Sequence, residues 1–289
     1  MIYTIQNQAI TAQVSTLGAQ LMSLQGADNT QYLWQGDPKY WKDRSLTIFP
    51  YVARLTKGSY CYRGKLYHMP IHGFAPTTEF TIFEHSAGSL TLGLDSSSKT
   101  YEMYPFHFRF ALRYSLTEAT LSVEARVENR DEKPMYFGLG GHPGINIPLE
   151  KGLAFGDYRL EFPPCSPMRV EFTPECFITG RETPFFLENN MLPLSHDLFD
   201  NDAIVLKGVP GRVTLRSDKG RHGVTLSAPD FPILGFWHMP KTDAPYICLE
   251  PWSSLPSRQD VIEDLEKQQD LIYLEPQNVY KTTWSLEMF

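Results

Sequence analysis

Phe108-Arg-Phe-Ala-Leu-Arg-Tyr-Ser-Leu, a short turn at Thr117-Glu118, and then Thr120-Leu-Ser-Val-Glu-Ala-Arg-Val-Glu-Asn form the stretch that decides the fold class. Apolar side chains recur at alternate positions in both arms, which is the signature of strands with one buried face. The same period of two returns in Glu79-Phe-Thr-Ile-Phe-Glu, Ser89-Leu-Thr-Leu-Gly-Leu, Arg212-Val-Thr-Leu-Arg, Gly223-Val-Thr-Leu-Ser and Thr283-Trp-Ser-Leu-Glu-Met. Helical periodicity is sparse. Asp37-Pro-Lys-Tyr-Trp-Lys reads as one capped turn, and Ser257-Arg-Gln-Asp-Val-Ile-Glu-Asp-Leu as a short helix. Neither can cover a sheet, so sheet must pack on sheet: the pattern predicts an all-β chain built as a large antiparallel β-sandwich.

No internal repeat or low-complexity linker divides the 289 residues, which are expected to form a single domain over 1–289. The segment from Pro163 to Asn201, rich in Pro, Phe, Cys and Leu without a clear period, reads as a long ordered excursion over one sheet that carries part of a substrate rim. A formal net charge of −7 and the lack of a basic run exclude the phosphate-neutralising stripe that nucleic-acid binding needs. The N-terminal residues have neither the basic start nor the apolar core of a secretion signal, and no stretch is long and apolar enough for a membrane span, so a cytoplasmic protein is expected. The four cysteines, Cys61, Cys165, Cys176 and Cys248, match neither a metal knuckle nor a redox pair and are read as free thiols, with a nucleophilic role for Cys248 as the minor alternative.

Glu250 stands in the apolar run Pro245-Tyr-Ile-Cys-Leu-Glu-Pro-Trp, where an ionised carboxylate is costly unless it is paired or used. His72 in Ile71-His-Gly-Phe and His142 in Gly140-Gly-His-Pro-Gly each sit beside glycine in what reads as a strand end, and imidazoles change charge near neutral pH. Arg54, in a β-favouring stretch, offers a fork of donors suited to hydroxyl oxygens, and Asp202, just before the apolar Ala203-Ile-Val-Leu, can accept hydrogen bonds from a polyol. Plainer roles stand beside these: a core or rim histidine, an arginine that neutralises Glu250, an aspartate that binds turn amides. Spacing alone does not show that the five converge.

Taken in order, Thr16-Leu-Gly-Ala-Gln-Leu-Met-Ser-Leu, Ile48-Phe-Pro-Tyr-Val-Ala-Arg-Leu-Thr-Lys-Gly-Ser-Tyr, His72-Gly-Phe-Ala, Gly141-His-Pro-Gly-Ile-Asn, Asn201-Asp-Ala, Cys248-Leu-Glu-Pro-Trp and Tyr280-Lys-Thr-Thr-Trp-Ser-Leu resemble the aldose 1-epimerase (galactose mutarotase-like) family, in particular its LacX-like branch, over nearly the whole length. The resemblance implies a sandwich of the galactose mutarotase type (a supersandwich) whose groove binds a free hexose without metal or organic cofactor, in a monomer or homodimer. It implies an isomerase that interconverts α and β anomers, with Glu250 as general base and His142 as general acid, the carboxylate ionised and the imidazole protonated in the same state. By the same match Arg54, His72 and Asp202 take substrate-binding places, with Asp200 as a competing assignment for the last.

Two departures from the family pattern stand out: Pro76 where many relatives have arginine after His-Gly-x-Ala, and Gly144 where many have an aromatic residue after His-Pro. Trp34, Phe74, Trp237 and Trp252 are candidate platforms for the carbon face of a sugar, each with a core role as the alternative. Two rival functions remain open: a hexose-6-phosphate 1-epimerase, with Arg54 or Lys57 meeting phosphate, and a non-catalytic carbohydrate-binding sandwich.

Overall fold

A computed structural model describes residues Met1–Phe289. The two arms of the opening stretch pair as an antiparallel hairpin, Phe108–Thr117 with Thr120–Asn129, placing Leu121 opposite Leu116 and Val127 opposite Phe110. In the second arm alternate residues are buried, as a sheet with one face on the core requires. This hairpin lies within a nine-stranded sheet that runs Met191–Pro193, Arg159–Glu161, Arg212–Arg216, Val224–Ser227, Val279–Met288, Thr120–Asn129, Phe108–Thr117, Ser89–Asp95, Thr81–His85.

A seven-stranded antiparallel sheet forms the second layer, in the order Ile178–Pro184, Met168–Phe172, Ile204–Lys207, Ile233–Trp237, Tyr246–Trp252, Gly140–Asn146, Ser45–Ile48. One apolar cluster takes Leu112, Val123 and Leu286 from the first sheet and Leu206, Phe236 and Leu249 from the second. Burial of each such side chain stabilises the sandwich by ~1.5–3 kcal/mol. Gly141 is required where the layers meet, because a Cβ there would lie 2.8 Å from the ring of Trp284 on the facing sheet. No helix is long and apolar enough to cross a membrane.

The helical expectations divide. Asp37–Trp41 is a turn, closed by amide bonds from Tyr40 and Trp41 to the Asp37 carbonyl. Ser257–Leu265 is not a helix. Ser257 Oγ accepts the Thr56 amide at 2.7 Å, Arg258 forks onto Glu263, and Glu263–Asp264 adds a short parallel strand to Ser59–Tyr62. These bonds to distant backbone replace the i to i−4 ladder. The one α-helix, Ser98–Met103, is closed by a capping box between Ser97 and Thr100 and was not expected from the sequence.

The Pro163–Asn201 excursion extends both sheets. Met168–Phe172 and Ile178–Pro184 pair at the edge of the seven-stranded sheet, and Met191–Pro193 ends the nine-stranded one. Ile178–Pro184 is largely exposed and carries Arg181 and Glu182, so it has no buried face to write a period of two. Charge on such an edge also opposes pairing with a second chain.

Candidate active site

The seven-stranded sheet sets the register of the candidate residues. Gly140 pairs with Trp252 and Gly144 with Cys248, which puts His142 directly across from Glu250; Gly235 flanks Glu250 on the other side, and Leu46 flanks His142. Side chains on one row of a pleated sheet emerge on one face. Here they floor a cavity of about 420 Å³, within the range of small-molecule sites. Glu250, His142, Arg54, His72 and Asp202 all border it.

Glu250 and His142 touch, with Nε2 3.2 Å from Oε2, and the Trp252 indole N–H donates to the same Oε2 at 3.1 Å. Both residues are buried, Glu250 to 1% exposure. Burial drives the Glu250 carboxyl well above its ordinary 4.5, against the Trp252 hydrogen bond and helped by the nearby charge of Asp202. Burial, with the charge of a protonated His72 acting in the same direction, drives His142 well below 6.5. Loss of hydration thus opposes separated charges on the expected ion pair, while the 3.2 Å contact lets a proton be shared between Oε2 and Nε2. His142 Nδ1 is buried without a hydrogen-bond partner.

His72 and Arg54 come from loops rather than the strand contexts their sequences suggested. His72 has a left-handed backbone, φ 62°, and bonds the Phe49–Arg54 loop three ways: its amide donates to Ala53 O at 2.9 Å, its carbonyl accepts from Phe49 N at 3.2 Å, and its Nδ1 accepts from Ala53 N at 3.3 Å. An accepting Nδ1 leaves the proton on Nε2, so the ring is a neutral donor. Burial, with Arg54 second, lowers its pKa to about 4. The Arg54 carbonyl accepts the Ser257 amide at 2.9 Å, while its exposed side chain forms no ion pair with Glu250 and so does not neutralise it.

Asp202 sits at the entry to the Ile204–Lys207 strand with φ 74°; its Oδ1 accepts the Ala203 amide at 2.8 Å and its Oδ2 accepts the Cys176 thiol at 2.6 Å. Cys176 and Phe172 bring the excursion to the cavity wall, as expected of a rim. Burial, then Asp202, pushes the Cys176 thiol up to about 11. Asp200 does not border this cavity but a neighbouring depression shared with His196 and Lys241.

Among the aromatic candidates, Trp237 and Trp252 border the cavity, whereas Trp34 packs on Tyr246 with ring centres 4.6 Å apart and Phe74 lies in the main core on Phe108. Those two take the core role rather than the platform one. Trp41 was missed: its ring tilts over His142 at 4.8 Å and meets Trp237 edge-on at 5.7 Å. Asp43 also borders the cavity and was not singled out. The only signal for either was a bulky ring and an acid just before the apolar Leu46-Thr-Ile-Phe run.

Cys248 shares a face with Glu250 but does not border the cavity, and burial pushes its thiol well up, away from the thiolate a nucleophile needs. Its Sγ lies with the donor atoms of His142 and Glu250 in a group spanning at most 4.8 Å, the one trio with metal-ligand chemistry.

A register-paired glutamate and histidine, ringed by one arginine, a second histidine and an aspartate, accompany a match of residues 1–284 to the family model described as Aldose 1-epimerase. The chain belongs to the aldose 1-epimerase family. It is 32% identical to the plasmid-encoded protein LacX of Lactococcus lactis subsp. lactis over a 298-residue alignment that covers 99% of each chain. Its fold is similar to the galactose mutarotase related enzyme from Lactobacillus acidophilus, with TM-score 0.95 and 31% identity over 100% of this chain and 97% of that one. The same score and identity hold for a galactose mutarotase-like protein from Lactobacillus casei ATCC 334, over all of both chains. In this aldose 1-epimerase family member Pro76 lies in a 3-10 turn away from the cavity. Gly144 has a local reason: a Cβ there would come within 3.0 Å of Trp34 and 3.2 Å of Trp41, so the space beside the strand is already filled from another segment.

Proposed function

We propose that this protein is an aldose 1-epimerase that exchanges the α and β anomers of a free hexose at the Glu250–His142 pair, with residues 1–289 acting as one domain. The observation that carries this reading is the 3.2 Å contact of a buried carboxyl and a buried imidazole at the floor of a sugar-sized cavity. Ring opening needs a base to take the proton of the anomeric hydroxyl and an acid to protonate the ring oxygen. Rotation about the adjacent carbon–carbon bond and closure with the roles reversed give the other anomer.

Each turnover passes a proton in both directions, so the two groups should hold it with similar strength. Burial acts on both partners in that sense, raising the glutamate from its ordinary 4.5 and lowering the histidine from 6.5. Glu250 takes the base role and His142 the acid role. His72, neutral above about 4 with its Nε2 proton free to donate, fits a hydroxyl-binding role better than that of an imidazolium acid. Arg54 and Asp202 supply further donors and an acceptor at the rim.

The test is exchange between the anomers of galactose and glucose, followed by polarimetry or by magnetisation transfer in NMR. Catalysed exchange that disappears in Glu250→Gln supports the proposal. Sugar binding by calorimetry without any acceleration of exchange would sink it in favour of a carbohydrate-binding sandwich.

A further inference from the structure

We infer that Asp43 is a specificity-determining contact that, with Asp202, makes this cavity select uncharged aldoses over phosphorylated or acidic sugars. The inference deepens the aldose 1-epimerase reading and rests on it. Asp43 borders the same cavity as Glu250, is half-buried, and makes no hydrogen bond or ion pair inside the chain. A carboxylate partly removed from water with its lone pairs unused is an acceptor awaiting donors.

The charges around it do not fill that need. Arg44, the next residue, is committed elsewhere: its Nη1 donates to Met22 O at 2.6 Å and to Gln35 Oε1 at 3.0 Å. Lys42 is exposed and does not border the cavity; its charge lowers the Asp43 carboxyl, while burial, the larger effect, raises it.

Position in the sheet relates the two aspartates. The catalytic row runs Val205, Gly235, Glu250, His142, Leu46 through five antiparallel strands. Four reversals make the outer strands run the same way. Asp202 stands three positions before Val205 and Asp43 three before Leu46, so both lie off the same end of the sheet, one on each side of Glu250 and His142. A polyol presents hydroxyl donors around its whole rim, and two carboxylates on opposite flanks can accept from two parts of it at once.

The same arrangement repels anions. At the rim two carboxyl side chains, Asp43 and Asp202, stand against a single guanidinium, Arg54, and no lysine borders the cavity. Burial opposes positive charge on both cavity histidines. A phosphate monoester brings about −1.5 to −2 charges, and a uronate brings one.

The experiment compares the full-length wild type with Asp43→Asn, which removes the charge, and Asp43→Ala, which removes the contact, on galactose, glucose, glucose 6-phosphate and glucuronic acid. Wild type is expected to show kcat/KM for glucose on the order of a hundredfold above that for glucose 6-phosphate. Asp43→Asn should raise KM for the neutral sugars by roughly tenfold with kcat within a few-fold, as expected for loss of a charged hydrogen bond. It should also narrow the discrimination against glucose 6-phosphate. Equal turnover of glucose and glucose 6-phosphate by wild type, or unchanged KM and discrimination in both variants, overturns the inference. Wild type inert toward every sugar overturns the epimerase reading instead; galactose calorimetry then decides for Asp43, which stands if Asp43→Ala weakens binding and falls if it does not.

Discussion

Glu250 and His142 lie mid-strand on adjacent inner strands of a sheet, whereas Arg54, His72, Asp202, Trp41 and Asp43 come from loops and strand ends around it. The central pair is held by ladder hydrogen bonds and core packing on the opposite face, so its 3.2 Å contact belongs to the register itself. The rim is held by a few local bonds, such as the Ala53–His72 clasp and the Cys176 thiol on Asp202. On the proposed assignment, chemistry that tolerates little displacement sits on the ladder-bonded part, and recognition sits where the chain can vary without unfolding the sandwich.

Substitutions on the two parts should therefore fail differently. The largest effect is expected from Glu250→Gln: kcat for anomer exchange drops by about 10³–10⁴. Its melting temperature at neutral pH should stay at or above wild type, because a neutral amide replaces a carboxyl whose burial is costly. The folded protein holds the Glu250 proton more tightly than the unfolded chain, so this advantage grows as pH rises above 4.5; a variant that melts early instead would make the pair structural. Next, His142→Asn should lower kcat by about 10²–10³, and full retention of kcat would move the acid role to His72.

On the rim, Asp202→Asn should raise KM by roughly tenfold while kcat changes little, as for an interaction equal in ground and transition states. A parallel collapse of kcat would erase the contrast between floor and rim. His72→Asn is suited to the site because asparagine tolerates the left-handed backbone. His72 in the folded protein titrates near 4, below the 6.5 of the unfolded chain, so the unfolded state takes up the proton first and stability is lost as pH falls from 6.5 toward 4. The variant should flatten melting temperature against pH in that window, and an unchanged slope would put the burial effect elsewhere. The smallest effect is expected from Gly144→Ala: crowding of Trp41 and Trp34 should shift KM only a few-fold, visible as altered tryptophan fluorescence.

The sequence made the half-buried strands readable because one wet and one dry face write a period of two, as in Thr120–Asn129. Ile178–Pro184 wrote none, being exposed on an edge, and Ser257–Leu265 imitated a helix because the backbone that Ser257 and the Glu263–Asp264 strand bond to lies far away in the chain. Glu250 was legible as an acid in an apolar run that is buried throughout. Its partnership with His142 came only from the family resemblance, since the register joining residues 108 positions apart leaves no local trace. Trp41 and Asp43 were invisible for a related reason: only folding turns a short polar turn into a cavity wall. Trp34 and Phe74 show the converse, since an aromatic residue beside a motif packs inward as readily as it lines a site.

The row that aligns Gly235, Glu250, His142 and Leu46 also restricts how this protein can change. A strand alternates its faces, so deleting one residue upstream within Tyr246–Trp252 would turn Glu250 into the hydrocarbon interior and bring Leu249 or Pro251 to the cavity. Reading frame, so to speak, is shared between architecture and the paired side chains: an indel in either strand of the pair ruins both together, while the surrounding loops can lengthen or shorten without shifting that register.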